Sequence, residues 1–315
     1  MIAFLVSAIR LGMVFLFGST GEILSEKSGH LNLGTPGVMC VGASCGCYAV
    51  SLYLKINGPR ITPVIAILIA LIATFIGGAL MGLLFSFLTV SLRANQNVTG
   101  LALTTLGIGI SDFMIAKAGT SFGRVSKYFT ASLPFAKKLG VVGDLLFSHG
   151  FLIYLAIIVA IICSFVLSRT RIGLNLRSVG ENPATADAAG INVSLYRYVA
   201  TCVGCGISSL GGLTFIMDYL NGNWEYCIDA FGWLSIALVI FTVWKPNLAI
   251  LGSFVFGALY IASSYITGVS FASKELFKLL PYIVTILVLI VTSMRNKKEN
   301  QPPQSLGLSY FREER

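Results

Sequence analysis

Long stretches without a charged residue constrain this chain more than any other feature of its sequence. Five of them approach or exceed the roughly 20 residues that an α-helix needs to cross a lipid bilayer: Ser28–Leu54, Ile61–Leu92, Leu145–Ser168, Tyr198–Met217 and Pro246–Ser273. Four weaker candidates, the first interrupted by Arg10, are Met1–Gly21, Ala94–Ser111, Ala230–Trp244 and Leu279–Met294. Only 11% of the residues are charged, whereas a soluble domain usually carries about 25%. The sequence therefore predicts an all-α fold, a polytopic transmembrane bundle of about nine or ten spans, some of them broken.

The basic residues indicate how the spans are oriented. The net charge of +9 comes from loops and from the tail rather than from one patch, so it does not indicate nucleic-acid binding. Cytoplasmic loops of membrane proteins carry an excess of Lys and Arg. The basic segment 169–193 and the basic tail 295–315 lie four predicted spans apart, so we expect both in the cytoplasm. We place the loop 117–144 outside, because one strong span separates it from 169–193.

The chain divides into a transmembrane domain, residues 1–294, and a polar tail, residues 295–315. The tail contains Pro302 and Pro303, and we expect it to have little fixed structure. The sequence predicts a multi-pass protein of the cell membrane whose C-terminus lies in the cytoplasm.

The segment RSVGENPATADAAGIN, residues 177–192, is a polar island in this apolar chain. Asn182 is a good N-cap and Pro183 suits the first helical position, while Gly190 suits a left-handed helix terminator. The intervening alanines favour a helix, but one of about seven residues is too short to be stable alone in water. Its face lacks the large apolar residues that would hold it on lipid. We therefore expect a protein partner to hold this helix.

Two further polar segments, Gly21–Ala43 and Arg93–Gly100, lie at span boundaries. Pro36 follows a stretch of polar residues and glycines, so we expect the helix that contains it to be broken or to begin late. Acidic residues inside spans, such as Glu22 and Asp229, are functional candidates because buried charge is costly in lipid, although several could simply sit at span ends. From these segments and acids we predict a translocation pathway lined by Asn32, Asn95, Gln96, Thr99, Asp112 and Asp218. The alternative for the segment 93–100 is an ordinary polar turn.

The sequence lacks the common signatures of enzymes. It contains no H-E-x-x-H, no G-x-S-x-G and no P-loop motif, so we expect no catalytic residues and no ATP hydrolysis through a P-loop. Cys202 and Cys205 have C-x-x-C spacing, but no second pair or nearby histidine completes a metal site. We interpret them as small packing residues and predict no metal site.

Four segments carry a family resemblance: SEKSGHLNLGTPGVMCVGA, ANQNVTGLALTTLGIG, RTRIGLNLRSVGENPATADAAGINV and WKPNLAILGSFVFGALY. They resemble permease subunits of ABC importers in the branched-chain amino acid, simple sugar and nucleoside group. The ending SLGLSYFREER is most similar to nucleoside-type permeases. The resemblance covers nearly the whole chain. It implies a fold similar to the vitamin B12 and iron-siderophore importers.

The resemblance also implies partners. It identifies the chain as a pore-forming subunit that is not an enzyme and holds no cofactor. Cytoplasmic ABC ATPase subunits would bind ATP and magnesium, and a second related permease would complete the pathway through the lipid. An extracellular substrate-binding lipoprotein would deliver the small-molecule substrate.

The resemblance implies that Gly180–Gly190, within this polar segment, is the coupling helix on which the ATPase subunits push. The residues predicted to serve this coupling are Arg177, Gly180, Glu181, Asn182, Pro183, Ala184, Asp187 and Gly190. Glu181 and Asp187 would bond basic groups of the ATPase groove, and Arg177 would pair with an acid there.

The substrate expectation rests on overall likeness, with simple sugars as the alternative to nucleosides. The chain departs from the family where Pro36 replaces an acidic residue, so no role built on that acid carries over. Two other classes remain in competition with the importer subunit. One is a stand-alone secondary transporter coupled through the intramembrane acids, and the other is a membrane-embedded enzyme, for which no nucleophile or metal set is visible.

Overall fold

The computed structural model describes residues 2–58, 61–132, 140–266, 268, 271–295 and 301–311. These residues form fourteen α-helices, and two of the helices continue into a π-helical turn. The helices are α1 (Ile2–Glu26), α2 (Thr35–Asn57), α3 (Pro63–Ser86, with the π turn Phe87–Ser91), α4 (Gln96–Ala118), α5 (Gly123–Phe129), α6 (Gly140–Leu146), α7 (Phe151–Arg169), α8 (Arg171–Glu181), α9 (Pro183–Ala188), α10 (Val193–Thr214, with the π turn Phe215–Tyr219), α11 (Ile228–Phe241), α12 (Pro246–Tyr265), α13 (Phe271–Phe277) and α14 (Leu280–Arg295).

Seven of these helices are long and apolar enough to cross a membrane: α1, α2, α3, α4, α7, α10 and α12. The shorter apolar helix α11 has 14 residues and coincides with the weak predicted span Ala230–Trp244. Helix α14 has 16 residues and coincides with Leu279–Met294. Each of the nine predicted spans thus overlaps mainly one helix of the described residues, and Pro246–Ser273 also extends into α13. The prediction of an all-α polytopic bundle is confirmed.

Proline and glycine set where α2 begins. The uncharged run starts at Ser28, but the helix starts at Thr35 with Pro36 in its first turn. Residues 27–34 form turns instead, and Gly29 adopts a positive φ of 83°. The late start expected from Pro36 is confirmed.

Helices α1 and α10 form the centre of the bundle. The side chains of α1 from Leu11 to Ile23 are buried. In the most apolar stretch of α10 and its π turn, 83% of the residues are buried. Ser208 of α10 donates a hydrogen bond to the carbonyl oxygen of Gly18 on α1, at 2.9 Å, so small residues let the two backbones approach closely. Helix α3 lies further out and exposes apolar side chains such as Ile72 and Leu80.

Consecutive spans alternate in direction and create two ends of the bundle. The α8–α9 end contains residues 27–34, the π turn after α3, helices α8 and α9, the turn between α11 and α12, and the tail residues 301–311. The α5–α6 end contains α5, α6 and the turn from 220 to 227 after α10.

Candidate functional site

Helix α8 precedes the predicted short helix and was not expected from the sequence. Thr170 caps it, because its hydroxyl oxygen accepts a hydrogen bond from the backbone N–H of Gly173 at 3.1 Å. Its buried positions are Gly173, Leu176, Val179 and Gly180, a spacing of three to four residues that is typical of one helix face. That spacing, together with the Thr170 cap, was the signal available in the sequence.

Helix α9 is the short helix that the sequence predicted. The side chain of Asn182 accepts a hydrogen bond from the backbone N–H of Thr185 at 3.0 Å, and Pro183 is the first helical residue. Gly190 has a positive φ of 84°. The backbone N–H of Ile191 reaches back to the carbonyl oxygen of Ala186 at 3.0 Å. The predicted caps are therefore confirmed.

The chain itself supplies part of the support for α9. Ala186 is buried against Val179 and Val193, and Tyr310 of the tail packs on the same cluster. The Tyr310 hydroxyl donates a hydrogen bond to a carboxylate oxygen of Asp187 at 2.8 Å. The expectation that a separate protein holds this helix was incomplete, because no pattern in the sequence indicates that the tail reaches it. The outward face, including Glu181 and Ala188, is exposed.

The tail residues 301–311 are bound to the rest of the α8–α9 end. The backbone N–H of Ser305 donates to the carbonyl oxygen of Gly180 at 3.0 Å, and that of Gly307 donates to the carbonyl oxygen of Gly29 at 3.2 Å. The carbonyl oxygen of Leu308 accepts from Gln96 at 3.4 Å and from Arg197 at 3.2 Å. The expectation of a tail with little fixed structure is wrong for these residues, because backbone groups distant in sequence satisfy their hydrogen bonds.

Gly180 makes the contact between α8 and residues 27–34 possible. A β-carbon at this position would overlap the carbonyl oxygen of Lys27. A backbone oxygen cannot move aside as a flexible side chain can, so only glycine fits. The predicted coupling residue Gly180 therefore joins α8 to the segment that connects α1 and α2.

The same segment is fixed to the start of α4. The backbone N–H of Leu31 donates to the side-chain oxygen of Gln96 at 2.8 Å. Asn95 caps α4 by accepting from the backbone N–H groups of Asn97 and Val98, at 3.0 and 3.2 Å. The polar segments 27–34, 93–97 and 177–192 and the tail, far apart in sequence, thus meet at one end of the bundle.

His30 lies buried at the centre of this meeting point. One ring nitrogen, Nε2, is 3.0 Å from the Thr89 hydroxyl, which itself donates to the carbonyl oxygen of Phe85 at 2.7 Å. Nε2 therefore carries the proton, and Nδ1 accepts from the Thr201 hydroxyl at 2.9 Å. Burial, reinforced by the positive charge of Arg197, lowers the pKa of His30 to about 3. The imidazole is neutral at physiological pH.

The six residues predicted for a pathway fall into two groups. Asn32, Asn95, Gln96 and Thr99 lie together at the α8–α9 end. Asn32 is fully buried; its side chain accepts from the backbone N–H of Gly34 at 2.9 Å and lies 3.3 Å from the sulfur of Cys205. Thr99, one turn inside α4, is also buried.

Asp112 and Asp218 lie toward the α5–α6 end. Asp112 lines a small cavity of about 90 Å³ together with Asp229 and Cys40. Asp218 is buried and forms an ion pair with Arg10 of α1 at 3.1 Å. The structure therefore does not bring the six predicted residues into one site.

A cleft of about 790 Å³ lies beside the exposed face of α8. Its charged lining residues are Lys27, Arg177, Glu181 and Lys245. Burial lowers the pKa of Lys27, while the carboxylate of Glu181 acts in the opposite direction. Trp244 forms one wall, and its indole N–H donates to the buried carboxylate of Glu26. Neither Trp244 nor Glu26 was predicted as a site residue, because their hydrogen bond joins positions far apart in the chain.

The chain matches a protein family across residues 4–289, the family described as the permease component of branched-chain amino acid transport systems. This match covers almost all of the helical domain.

Three curated proteins are similar to the chain over most of their length. The nucleoside ABC transporter permease protein NupC of Lactococcus lactis subsp. cremoris is 34% identical over 289 residues, with 87% of each chain covered. The guanosine ABC transporter permease protein NupQ of Bacillus subtilis is 30% identical over 308 residues, with 94% of this chain and 92% of NupQ covered. The putative glucose ABC transporter permease protein TsgC13 of Haloferax volcanii is 28% identical over 334 residues, with 98% and 97% covered.

Proposed function

Because the chain belongs to the family of permease components of branched-chain amino acid transport systems, we propose that it forms half of the nucleoside pathway of an ATP-driven importer. It is a multi-pass membrane protein and a transport subunit, not an enzyme, and such subunits carry no cofactor themselves. The proposal for nucleosides is supported by the similarity to NupC and NupQ, whose names specify nucleosides and guanosine.

The exposed face of α9 is the observation that carries the coupling part of the proposal. Cytoplasmic ABC ATPase subunits bind ATP and magnesium, close, and push on α8 and α9. The push reaches the spans because Gly180 contacts the end of α1 through Lys27. It also reaches α10, because Val193 packs in the same cluster as Ala186. Alternating access of the pathway then follows from tilting of these spans.

The charged residues at this surface have different tasks. Glu181 and Arg177 are exposed and line the cleft beside α8, so they are placed to bond oppositely charged groups of an ATPase subunit. Asp187 accepts a hydrogen bond from Tyr310, which ties it to the tail as well. Asn182, Pro183 and Gly190 shape the helix, and Ala184 leaves space for a close approach.

Cysteine cross-linking tests the coupling proposal. Cysteines placed at Ala184 or Ala188 should cross-link to an ATPase subunit in the assembled complex, because Ala184 is partly exposed and Ala188 is exposed. Ala186→Cys is the matched control: it lies on the same helix, but its side chain is buried, so it should not react. Equal cross-linking at all three positions, or none at any, would contradict the proposal.

The remaining partners follow from the same assignment. A second, related permease completes the pathway, and an extracellular substrate-binding lipoprotein docks at the α5–α6 end. The tail and the α8–α9 end then lie in the cytoplasm. A stand-alone secondary transporter, in contrast, predicts uptake by the isolated chain that survives loss of the ATPase.

The pathway residues remain a prediction: Asn32, Asn95, Gln96, Thr99, Asp112 and Asp218. Alanine at each position should lower uptake without preventing assembly with the ATPase if the side chain contacts substrate. Loss of assembly instead, above all for the hydrogen-bonded Asn32 and Gln96, would assign that residue to packing.

Uptake competition decides the substrate. Unlabelled nucleosides should abolish uptake of a labelled nucleoside, and pentoses or hexoses should not. A sugar permease is the second candidate, supported by the similarity to TsgC13 across 98% of the chain. Competition by glucose but not by guanosine would favour that alternative.

A further inference from the structure

A cavity of about 450 Å³ lies at the α8–α9 end, between the turn after α3, the start of α10 and the tail. It is separate from the cleft beside α8. Its polar and charged lining includes Arg93, Asp187, Asn192, Ser194, Arg197 and Tyr310. The cavity shares Asp187 and Gly190 with the predicted coupling residues, but neither coupling nor the predicted pathway accounts for its two arginines.

Arg197 is the residue whose surroundings indicate an anion site. Its side chain is only 2% exposed, and within the described residues it makes one hydrogen bond, from Nη1 to the carbonyl oxygen of Leu308 at 3.2 Å. Its Nε and Nη2 atoms have no partner among the residues that the structure describes, and no described carboxylate lies within ion-pair distance. Burying a guanidinium without a counter-charge or full hydrogen bonding lowers the stability of the fold unless an anion pairs with it.

Arg93 brings a second positive charge to the cavity. Its backbone adopts a positive φ of 58°, a conformation that costs a residue other than glycine about 1 kcal/mol or more. Arg93 follows the π turn, and its guanidinium lies 4.7 Å from the ring centre of Phe311 in the tail. Such strain is typical of functional positions.

Helix α10 adds to the positive potential, because it begins at Val193 with Ser194 in its first turn and helix N-termini favour anions. Asp187 is the one carboxylate among the described lining residues. Its oxygen Oδ2 accepts the Tyr310 hydroxyl, and its charge opposes anion binding.

We propose that this cavity binds a phosphate-bearing anion, held by the guanidinium groups of Arg197 and Arg93. Guanidinium groups bind phosphate oxygens through two parallel hydrogen bonds, and Arg197 has two unpartnered nitrogen positions for them. The volume exceeds that of a single inorganic phosphate, so a phosphomonoester or a lipid headgroup also fits. A bound phosphate group joins α10 to the tail and thereby holds Tyr310 and Leu308 on the α8–α9 end.

Phosphate binding to the full-length chain in nanodiscs of uncharged, zwitterionic lipid tests the proposal. Inorganic phosphate and a soluble phosphomonoester should bind the wild-type chain, and Arg197→Gln should weaken binding by tenfold or more. Arg93→Gln should weaken it several-fold. Asp187→Asn should tighten it several-fold, an effect that a misfolded variant cannot produce. Lys127→Gln, a change of an exposed basic residue at the opposite end, is the matched control and should leave binding unchanged.

A second experiment distinguishes a lipid headgroup from a soluble phosphate as the bound anion. If nanodiscs that contain phosphatidylglycerol protect the tail from hydrogen exchange and soluble phosphate does not, the anion is a lipid headgroup. The same affinity in wild type and Arg197→Gln, or no tightening in Asp187→Asn, overturns the proposal. Binding that appears only after Glu313 and Glu314 are both changed to Gln also overturns it, because carboxylates of the chain would then compete with the anion. None of these readouts depends on transport, so the result stands apart from the function proposed above.

Discussion

The two ends of the bundle are held together in different ways. At the α8–α9 end, hydrogen bonds join residues 27–34, the start of α4, α8, α10 and the tail into one network. At the α5–α6 end, hydrogen bonds pair the segment 119–132 with the turn after α10 through Phe122 and Trp224, and apolar packing buries Val125 and Phe129 in the main core.

This difference indicates how each end responds to force. A network in which every element contacts several others moves as a unit, since shifting one member requires breaking bonds to the rest. Apolar packing is non-directional, so it holds a segment without fixing it to particular partners. The α8–α9 end is therefore suited to receive a push and pass it on.

The strongest way to break the network is to add one carbon at Gly180. Gly180→Ala should displace α8 from the carbonyl oxygen of Lys27 and cost about 3 kcal/mol, the upper part of the range for overpacking. Uptake by the assembled complex should be lost. Gly109→Ala is the control, because a β-carbon there meets nothing within 4 Å. Equal uptake by the two variants would show that the contact does not hold α8.

The ion pair toward the α5–α6 end tests whether that region depends on single contacts. Asp218→Asn should leave the Arg10 charge uncompensated and cost about 2 kcal/mol, below the range for fully buried pairs because Arg10 is 25% exposed. The double variant Arg10→Gln with Asp218→Asn should recover part of the thermal stability.

Uptake by the same double variant separates packing from transport. Recovered stability with uptake still lost would support Asp218 as a pathway residue. Recovery of both would assign Asp218 to the ion pair alone.

Acidification should loosen the α8–α9 end through His30. The folded-state pKa is about 3 and the ordinary value is 6.5, so between these values the unfolded chain binds the proton more readily. Stability should therefore fall as pH drops below about 6.5, by at most about 2 kcal/mol at pH 5. His30→Gln should be less stable at pH 7 but should lose less between pH 7 and 5, as measured by hydrogen exchange of residues 27–34. A pH dependence identical to wild type would contradict this role.

The smallest change removes one hydroxyl from the tail. Tyr310→Phe deletes the bond to Asp187 and should destabilise α9 locally by about 1 kcal/mol, seen as faster hydrogen exchange at residues 183–190. Tyr265→Phe is the matched control at the opposite end, where the hydroxyl forms a hydrogen bond with Ser7 at an exposed position. An equal effect of the two changes on residues 183–190 would show that the tail does not support α9.

The sequence was most informative where structure is local. Uncharged runs predicted the helices, since apolar length is what a bilayer requires of each segment separately. The caps at Asn182 and Gly190 predicted α9, because capping depends on residues within one turn. Helix α8 had the same kind of signal in Thr170 and in the spacing of its buried face, but its charged residues made it resemble a loop.

Only the tertiary structure decided which distant groups meet. Nothing near Tyr310 in the sequence points to Asp187, and nothing near Arg10 points to Asp218, because such pairs depend on how whole helices pack. The same reason hid the tail's attachment to Gly180 and the burial of Arg197 beside the tail. The sequence by itself determined the spans, the short capped helix and the family likeness; packing decided that four separate polar segments form one end.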